Sequence, residues 1–352
     1  LTVPALDLIV PGELTTRTGG YIYDRRMAES LLARGWRVTV HSLDGSFPRP
    51  TAASLAEAGR LMAGIPAGRT VVVDGLALGA MPELAEREAR RVRLVALVHH
   101  PLAFESGLEP ETAAQLRQSE TRTLAAAERV ITTSPSTARE LTGFGVPAER
   151  IRVVIPGTDP ASPATGSAGP PLELLSVATL TPRKGHRVLV EALAGLRDLS
   201  WRLCCVGSTT RDPDTTEALR DQIVASGLEA RITLTGELDD TALQACYREA
   251  DAFVLASQHE GYGMVLTEAI AHGLPVVATR AGAIPETLPA SAGLLVPSGD
   301  PRALEAALRR LIEDADLRSR LKKGALAARR NLPTWEQAGA QFAATLAEID
   351  GQ

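Results

Sequence analysis

"PGTDPASPATGSAGPP", residues 156–171, is almost wholly Pro, Gly, Ala, Ser and Thr, and it divides the chain in two. A stretch with no large apolar side chain builds no core and reads as a linker. Before it, short apolar runs alternate with helical patterns. "ALDLIV" (5–10), "WRVTVH" (36–41), "TVVVDG" (70–75), "VRLVALV" (92–98), "ERVITTS" (128–134) and "IRVVIP" (151–156) read as strands. The runs are continuous, as strands of a parallel sheet covered on both faces should be. Between several of them lie stretches such as "DRRMAESLLARG" (24–35), a helix closed by a glycine. After the linker the alternation restarts with "LELLSVA" (172–178), "WRLCCVG" (201–207), "RITLTG" (231–236), "DAFVLAS" (251–257), "PVVAT" (275–279) and "AGLLVP" (292–297).

The expected fold is therefore α/β: two Rossmann-like, doubly wound domains facing across a cleft. The domains are expected at 1–160 and 172–332, joined by a linker at 161–171. A C-terminal helix at 333–352, with Trp335, Phe342 and Leu346 as its apolar face, is expected to pack back toward the first domain.

Composition narrows the function. The 352 residues carry a net charge of −5, with no basic excess of the kind that tracks a phosphate backbone, so nucleic acid is not an expected partner. Cys204, Cys205 and Cys246 lack metal-ligand spacing and read as reduced thiols of a cytoplasmic protein. No apolar run has the length of a membrane span, and the start lacks the pattern of a signal peptide. Arg87, Arg90, Arg91 and Arg93 form a basic cluster that could touch an anionic membrane surface but reads better as a solvated helix end, so peripheral membrane contact is open but not indicated.

Ligands of open α/β sheets bind beyond the carboxyl ends of the strands, so the loops there carry the chemistry. Gly19 and Gly20 open the first helix and allow close backbone approach to a ligand. His99 and His100 follow the fourth strand; either one is a candidate ligand contact. Arg183 and Lys184 precede Gly185 and a helix. Two cations at a helix N-terminus oppose the helix dipole and call for a compensating anion, such as a diphosphate.

In "HEGYGMVLTEA" (259–269), Glu260 and Glu268 look at first like an acid–base pair. On one continuous helix they would stand about 80° and about 12 Å apart, a poor geometry for that role. Gly261 and Gly263 instead suggest a loop, with a helix starting near Met264. The two carboxylates would then grip different parts of one elongated ligand, with backbone N–H groups between them.

These residues resemble a known family. "EGYGMVLTEA" followed by "AHGLPVVATRAGAIPE", with "LTPRKGH", "ITLTGELDDTALQACYREADAFVLASQHEGYG" and "PTWEQAGAQF", is similar to the retaining glycosyltransferases of the GT-B fold often called family four, marked by a Glu-seven-residues-Glu motif. The resemblance spans nearly the whole chain and is strongest over about 172–300. It implies metal-independent transfer of a sugar from a nucleotide-diphospho-sugar, with UDP or GDP the expected nucleotide, no cofactor, and an unidentified acceptor hydroxyl. It implies that Arg183 and Lys184 hold the diphosphate and that Glu268 binds the ribose hydroxyls. Glu260 and one of His99 and His100 would lie near the donor sugar. Gly261, Tyr262, Gly263 and Met264 would offer N–H groups to sugar and phosphate oxygens, and Gly19 and Gly20 would line the opposite wall. Many members carry a further Arg where this chain has Ala178 and Thr179, which leaves Arg183 as the second cation. Two other readings accompany this one: an inactive sugar-nucleotide-binding partner subunit of the same fold, and an isomerase or phosphorylase built on the same plan.

Overall fold

The strands of the computed structural model follow the apolar runs. It describes residues 3–167 and 169–350. The chain separates into two units, Leu1–Gly157 with Pro333–Gln352, and Thr158–Leu332. Each is a six-stranded parallel sheet with helices on both faces, a Rossmann-like α/β domain.

In the first unit the strands are β1 (Ala5–Pro11), β2 (Arg37–Leu43), β3 (Thr70–Asp74), β4 (Arg93–Val98), β5 (Arg129–Thr132) and β6 (Ile151–Val153). Their order in space is β2-β1-β3-β4-β5-β6. Successive residues of an inner strand supply opposite faces. Val71 and Val73 enter one core layer and Val72 the other; Leu94, Ala96 and Val98 oppose Val95 and Leu97 in the same way. That two-sided burial is why these strands read as unbroken apolar runs.

The helix Trp335–Asp350 belongs to this unit and packs on the helix Gly19–Ala33. Phe342 and Leu346 share a core layer with Tyr23, Met27 and Leu31, and Trp335 packs against it half-buried. Tyr23 meets Phe342 edge-on at 6.4 Å, and its hydroxyl donates to the Val154 carbonyl at 3.0 Å. Each such large apolar side chain contributes about 1.5–3 kcal/mol of burial. The basic cluster is partly consumed here. Arg87 and Arg91 pair with buried Glu88, and Arg93 donates to the Ile349 carbonyl at 2.7 Å. Among the described residues, no helix is long and apolar enough to cross a membrane.

In the second unit the strands are β7 (Leu172–Val177), β8 (Trp201–Val206), β9 (Ile232–Gly236), β10 (Ala252–Leu255), β11 (Val276–Arg280) and β12 (Gly293–Pro297). Their order is β12-β11-β10-β7-β8-β9. Leu174, Val254 and Val277 fill one layer, and Leu175, Phe253, Leu255 and Val276 the other. Among its described residues the small-residue stretch before β7 has no helix or strand, yet it is fastened to this unit. Ala164 is buried in the core, Thr165 N–H donates to the Arg248 carbonyl, and Asp251 accepts from Ser167 N–H and Oγ. The three cysteines are free, Cys205 buried and the other two half-buried.

Both strand orders have a point where the chain reverses direction across the sheet. It lies between β1 and β3 in the first unit and between β7 and β10 in the second. Ligands of doubly wound sheets bind at such switch points, beyond the strand carboxyl ends.

Candidate functional site

The switch point of the second unit brings together residues 76 positions apart. The loop after β7 carries Arg183 and Lys184; the loop after β10 carries Ser257 to Gly263. Three hydrogen bonds join them. Gln258 N–H donates to the Arg183 carbonyl at 2.7 Å, Arg183 Nη1 to the His259 carbonyl at 2.9 Å, and Lys184 Nζ to Glu260 Oε1 at 2.6 Å. Ser257 Oγ donates to the same Glu260 oxygen at 2.7 Å, and Arg183 Nη1 stands 3.8 Å from Oε2. The approach is close enough that Gly185 permits no side chain: at φ +68° a Cβ would lie 2.0 Å from the Ala256 carbonyl oxygen.

Glu260 is buried. Burial by itself would raise its carboxyl pKa, but Lys184 and Arg183 outweigh that and hold it below the ordinary value. Part of the compensating anion expected for the two cations is thus a carboxylate of the chain itself. His186, on the next turn, adds no positive charge. Its ring is buried, and burial together with Lys184 pushes its pKa down to about 4, so it is neutral at pH 7.

The helix Met264–Ala271 begins where the glycines of the motif predict. Gly263, at φ +85°, is its N-cap, a left-handed position that costs other residues about 1 kcal/mol or more. The first N–H groups of a helix have no partner within it and point out along its axis. Thr287 Oγ1 donates to the Tyr262 carbonyl at 2.7 Å and steadies the loop. Glu268 lies on this helix and its Oε2 accepts from Tyr247 Oη at 2.8 Å, whereas Glu260 lies in the loop before it and is bonded to Lys184 and Ser257.

The first unit has its own cluster at its switch point. Asp24 from the helix Gly19–Ala33, Asp74 at the end of β3, and His99 after β4 converge, with one ligating atom of each within 4.8 Å of the others. His99 Nε2 is 2.8 Å from Asp24 Oδ1 and 3.5 Å from Asp74 Oδ2. A Cβ on Gly20 would stand 3.2 Å from the His99 ring, so the glycine is the small wall of this cluster, while Gly19 opens the helix. Burial and the Asp24 charge push Asp74 up to about 7. Burial would lower the His99 pKa, but Asp24 and Asp74 outweigh it and leave it raised. The donor set is one that can share a proton or coordinate a cation, and the 2.8 Å contact is a hydrogen-bond distance. His100 stands apart from these carboxylates, with Nε2 3.8 Å from Glu105 Oε2.

Sequence reasoning did not single out Asp24, Asp74, Tyr247 or Ser257. Asp74 and Ser257 carried a signal, since both are polar residues ending an apolar strand run. Asp24 and Tyr247 carried none beyond helical pattern.

The fold is that of the GT-B glycosyltransferases, two Rossmann-like domains in one chain. Residues 159–327 match the family model described as glycosyl transferases group 1, and residues 71–162 match that of glycosyltransferase family 4. Among characterised proteins, the chain is similar to D-inositol 3-phosphate glycosyltransferase of Corynebacterium efficiens, 34% identical over 228 residues that cover 58% of this chain and 53% of that protein. The chain spans about half the length of the curated relatives it matches. Among solved structures it is similar to sucrose-phosphate synthase from Thermosynechococcus elongatus, with a TM-score of 0.84 at 22% identity, over 98% of this chain and 99% of that one. It is also similar to HepE from Anabaena, solved with UDP-glucose, with a TM-score of 0.74 at 21% identity over 97% and 99% of the two chains.

Proposed function

We propose that this chain is a retaining glycosyltransferase that moves a sugar from a nucleotide-diphospho-sugar to an acceptor hydroxyl without a metal ion. The observation that carries the reading is the convergence of Arg183, Lys184 and Glu260 at the β7–β10 switch point, beside a helix N-terminus. A diphosphate carries charge opposite to that of Arg183 and Lys184. The UDP-glucose bound in the HepE structure favours a uridine diphosphate donor.

The residues then divide the donor between them. Arg183 and Lys184 hold the diphosphate, together with the N–H groups of Gly261, Tyr262, Gly263 and Met264. Glu268 accepts from the ribose hydroxyls, and Glu260 lies at the sugar. His99, held by Asp24 and Asp74, takes the histidine role that the resemblance implies, with Gly19 and Gly20 beside it.

In the reaction the anomeric C–O bond breaks and its electron pair goes to the diphosphate oxygen. The acceptor oxygen forms the new bond on the same face, and its proton passes to the departing phosphate. Charge grows on that phosphate, where fixed cations and helix-end N–H groups stabilise it without reorganisation. Glu260 is a poor nucleophile for a covalent route, because Lys184 and Ser257 already occupy Oε1 and Arg183 stands at Oε2. The free cysteines suit a reducing compartment such as the cytoplasm.

Thermal melts with UDP, GDP and ADP test the reading. The preferred nucleotide at ~100 times its dissociation constant adds about 2.7 kcal/mol to stability. Glu268→Ala abolishes most of that gain. A melt unmoved by all three nucleotides overturns the assignment.

A further inference from the structure

The geometry points to Tyr247 as the residue that positions Glu268 for the nucleotide: its phenol donates to Glu268 Oε2 at 2.8 Å and turns the rest of the carboxylate toward a vicinal diol. This rests on the assignment of Glu268 to the ribose hydroxyls.

Tyr247 lies on the helix Asp240–Glu249 and is fully buried, whereas Glu268 remains partly exposed. Its ring is locked between two neighbours. It stacks on His272 at 4.9 Å with planes 4° apart, and lies nearly parallel to Phe253 at 6.0 Å. His272 is fixed in turn, since its Nδ1 is 2.9 Å from the Ser162 carbonyl. A ring clamped in this way aims its hydroxyl in one direction, and a buried phenol requires a partner. The partner here is the Glu268 carboxylate, toward which a protonated phenol must act as donor; burial and the Glu268 charge hold it protonated.

A carboxylate has about four acceptor positions, and one bond to Tyr247 leaves enough for both hydroxyls of a ribose. A free glutamate on a helix would sample several rotamers and lose entropy on binding. Tyr247 has already imposed that cost during folding, so the anchor is organised before the ligand arrives. The group recognised is the cis-diol of a ribonucleotide, whatever its base.

The test is isothermal titration of wild-type, Tyr247→Phe and Glu268→Ala proteins. The ligands are whichever of UDP, GDP and ADP the wild-type protein binds, and its 2′,3′-dideoxy form. Phenylalanine keeps the ring stack and removes only the donor, and matched circular dichroism and melting checks the fold. Tyr247→Phe should weaken the ribonucleotide about tenfold and the dideoxy form less than twofold. A general structural role would weaken both ligands alike, and that result, or no loss for either, overturns the proposal. The two assignments fail separately. If Glu268→Ala keeps the wild-type preference for ribose over dideoxyribose, the reading of Glu268 fails. If Glu268→Ala erases that preference while Tyr247→Phe leaves it intact, only the role of Tyr247 fails.

Discussion

The two switch-point clusters, each built of acidic and basic side chains, solve opposite electrostatic problems. In the first unit, two buried carboxylates share one imidazole, so the acids outnumber the base. Burial and mutual repulsion lift Asp74 to about 7. In the second unit, two cations share one buried carboxylate, and the cations hold Glu260 below its ordinary value. Asp74 therefore holds its proton up to near neutrality, whereas Glu260 is ionised there. The counting of charges, rather than burial, sets the difference, because burial opposes ionisation of the carboxylate in both places.

The largest expected effect comes from breaking the second cluster. Lys184→Ala removes the 2.6 Å bond to Glu260 and one of the two cations. Turnover, read as release of free nucleoside diphosphate from the nucleotide-sugar, should fall roughly 10²–10³-fold, as when one preorganised donor is deleted from a site of growing negative charge. Parental turnover in this variant would end the comparison, because Lys184 would then be a structural partner of Glu260 and nothing more.

A smaller effect probes the first cluster. Asp74 has an ordinary pKa of 3.8 and a folded value of about 7. The folded chain keeps a proton that the unfolded chain has shed. The stabilising contribution is thus complete below pH 3.8 and is lost as pH rises through about 7. Asp74→Asn stays neutral throughout, and its amide oxygen can still accept from Leu76 N–H, now held at 2.7 Å. The variant should gain on the wild-type protein as pH rises from 4 to 8, by roughly 4 kcal/mol, or about ten degrees in Tm. A difference in Tm that stays constant over that range would show that Asp74 is ionised in the fold at low pH, and that the first cluster resembles the second.

Much of the second cluster was legible in the sequence, and much of the first was not. "LTPRKGH" and "HEGYGMVLTEA" each end an apolar run with charged residues and glycines, and the glycines place the helix start at Met264. What the sequence does not show is that β7 and β10 are neighbours, which brings Glu260 to Lys184. The compensating anion was for that reason sought only in a ligand. Asp24 illustrates the harder case. In "YIYDRRM" it looks like the polar face of a helix, yet it is fully buried, because β3 and β4 bring Asp74 and His99 against that face. Charge in a local pattern predicts exposure, and only tertiary contacts reverse that expectation. Composition was similarly incomplete for residues 158–167, where small side chains are compatible with a loose tether but also with close packing, as at Ala164.

The smallest effect tests whether the second cluster is overdetermined. Ser257 is fully buried and donates to the same Glu260 oxygen as Lys184, at 2.7 Å. Ser257→Ala deletes a hydrogen bond to a charged group, worth about 1.5–3 kcal/mol. The carboxylate nevertheless keeps Lys184, with Arg183 at its other oxygen, and removing the hydroxyl leaves the charge count unchanged. Thermal melts should show a loss near the lower end of that range, while kcat falls less than about tenfold. If the cations set the ionisation of Glu260, the acid limb of the pH–rate profile should hardly move, since one of three supports has gone and the two charged ones remain. A loss of turnover as large as that of Lys184→Ala, with the acid limb shifted upward, would mean that the hydroxyl holds the carboxylate ionised. The second cluster would then depend on a single neutral donor, and the contrast with the first could no longer be explained by counting charges.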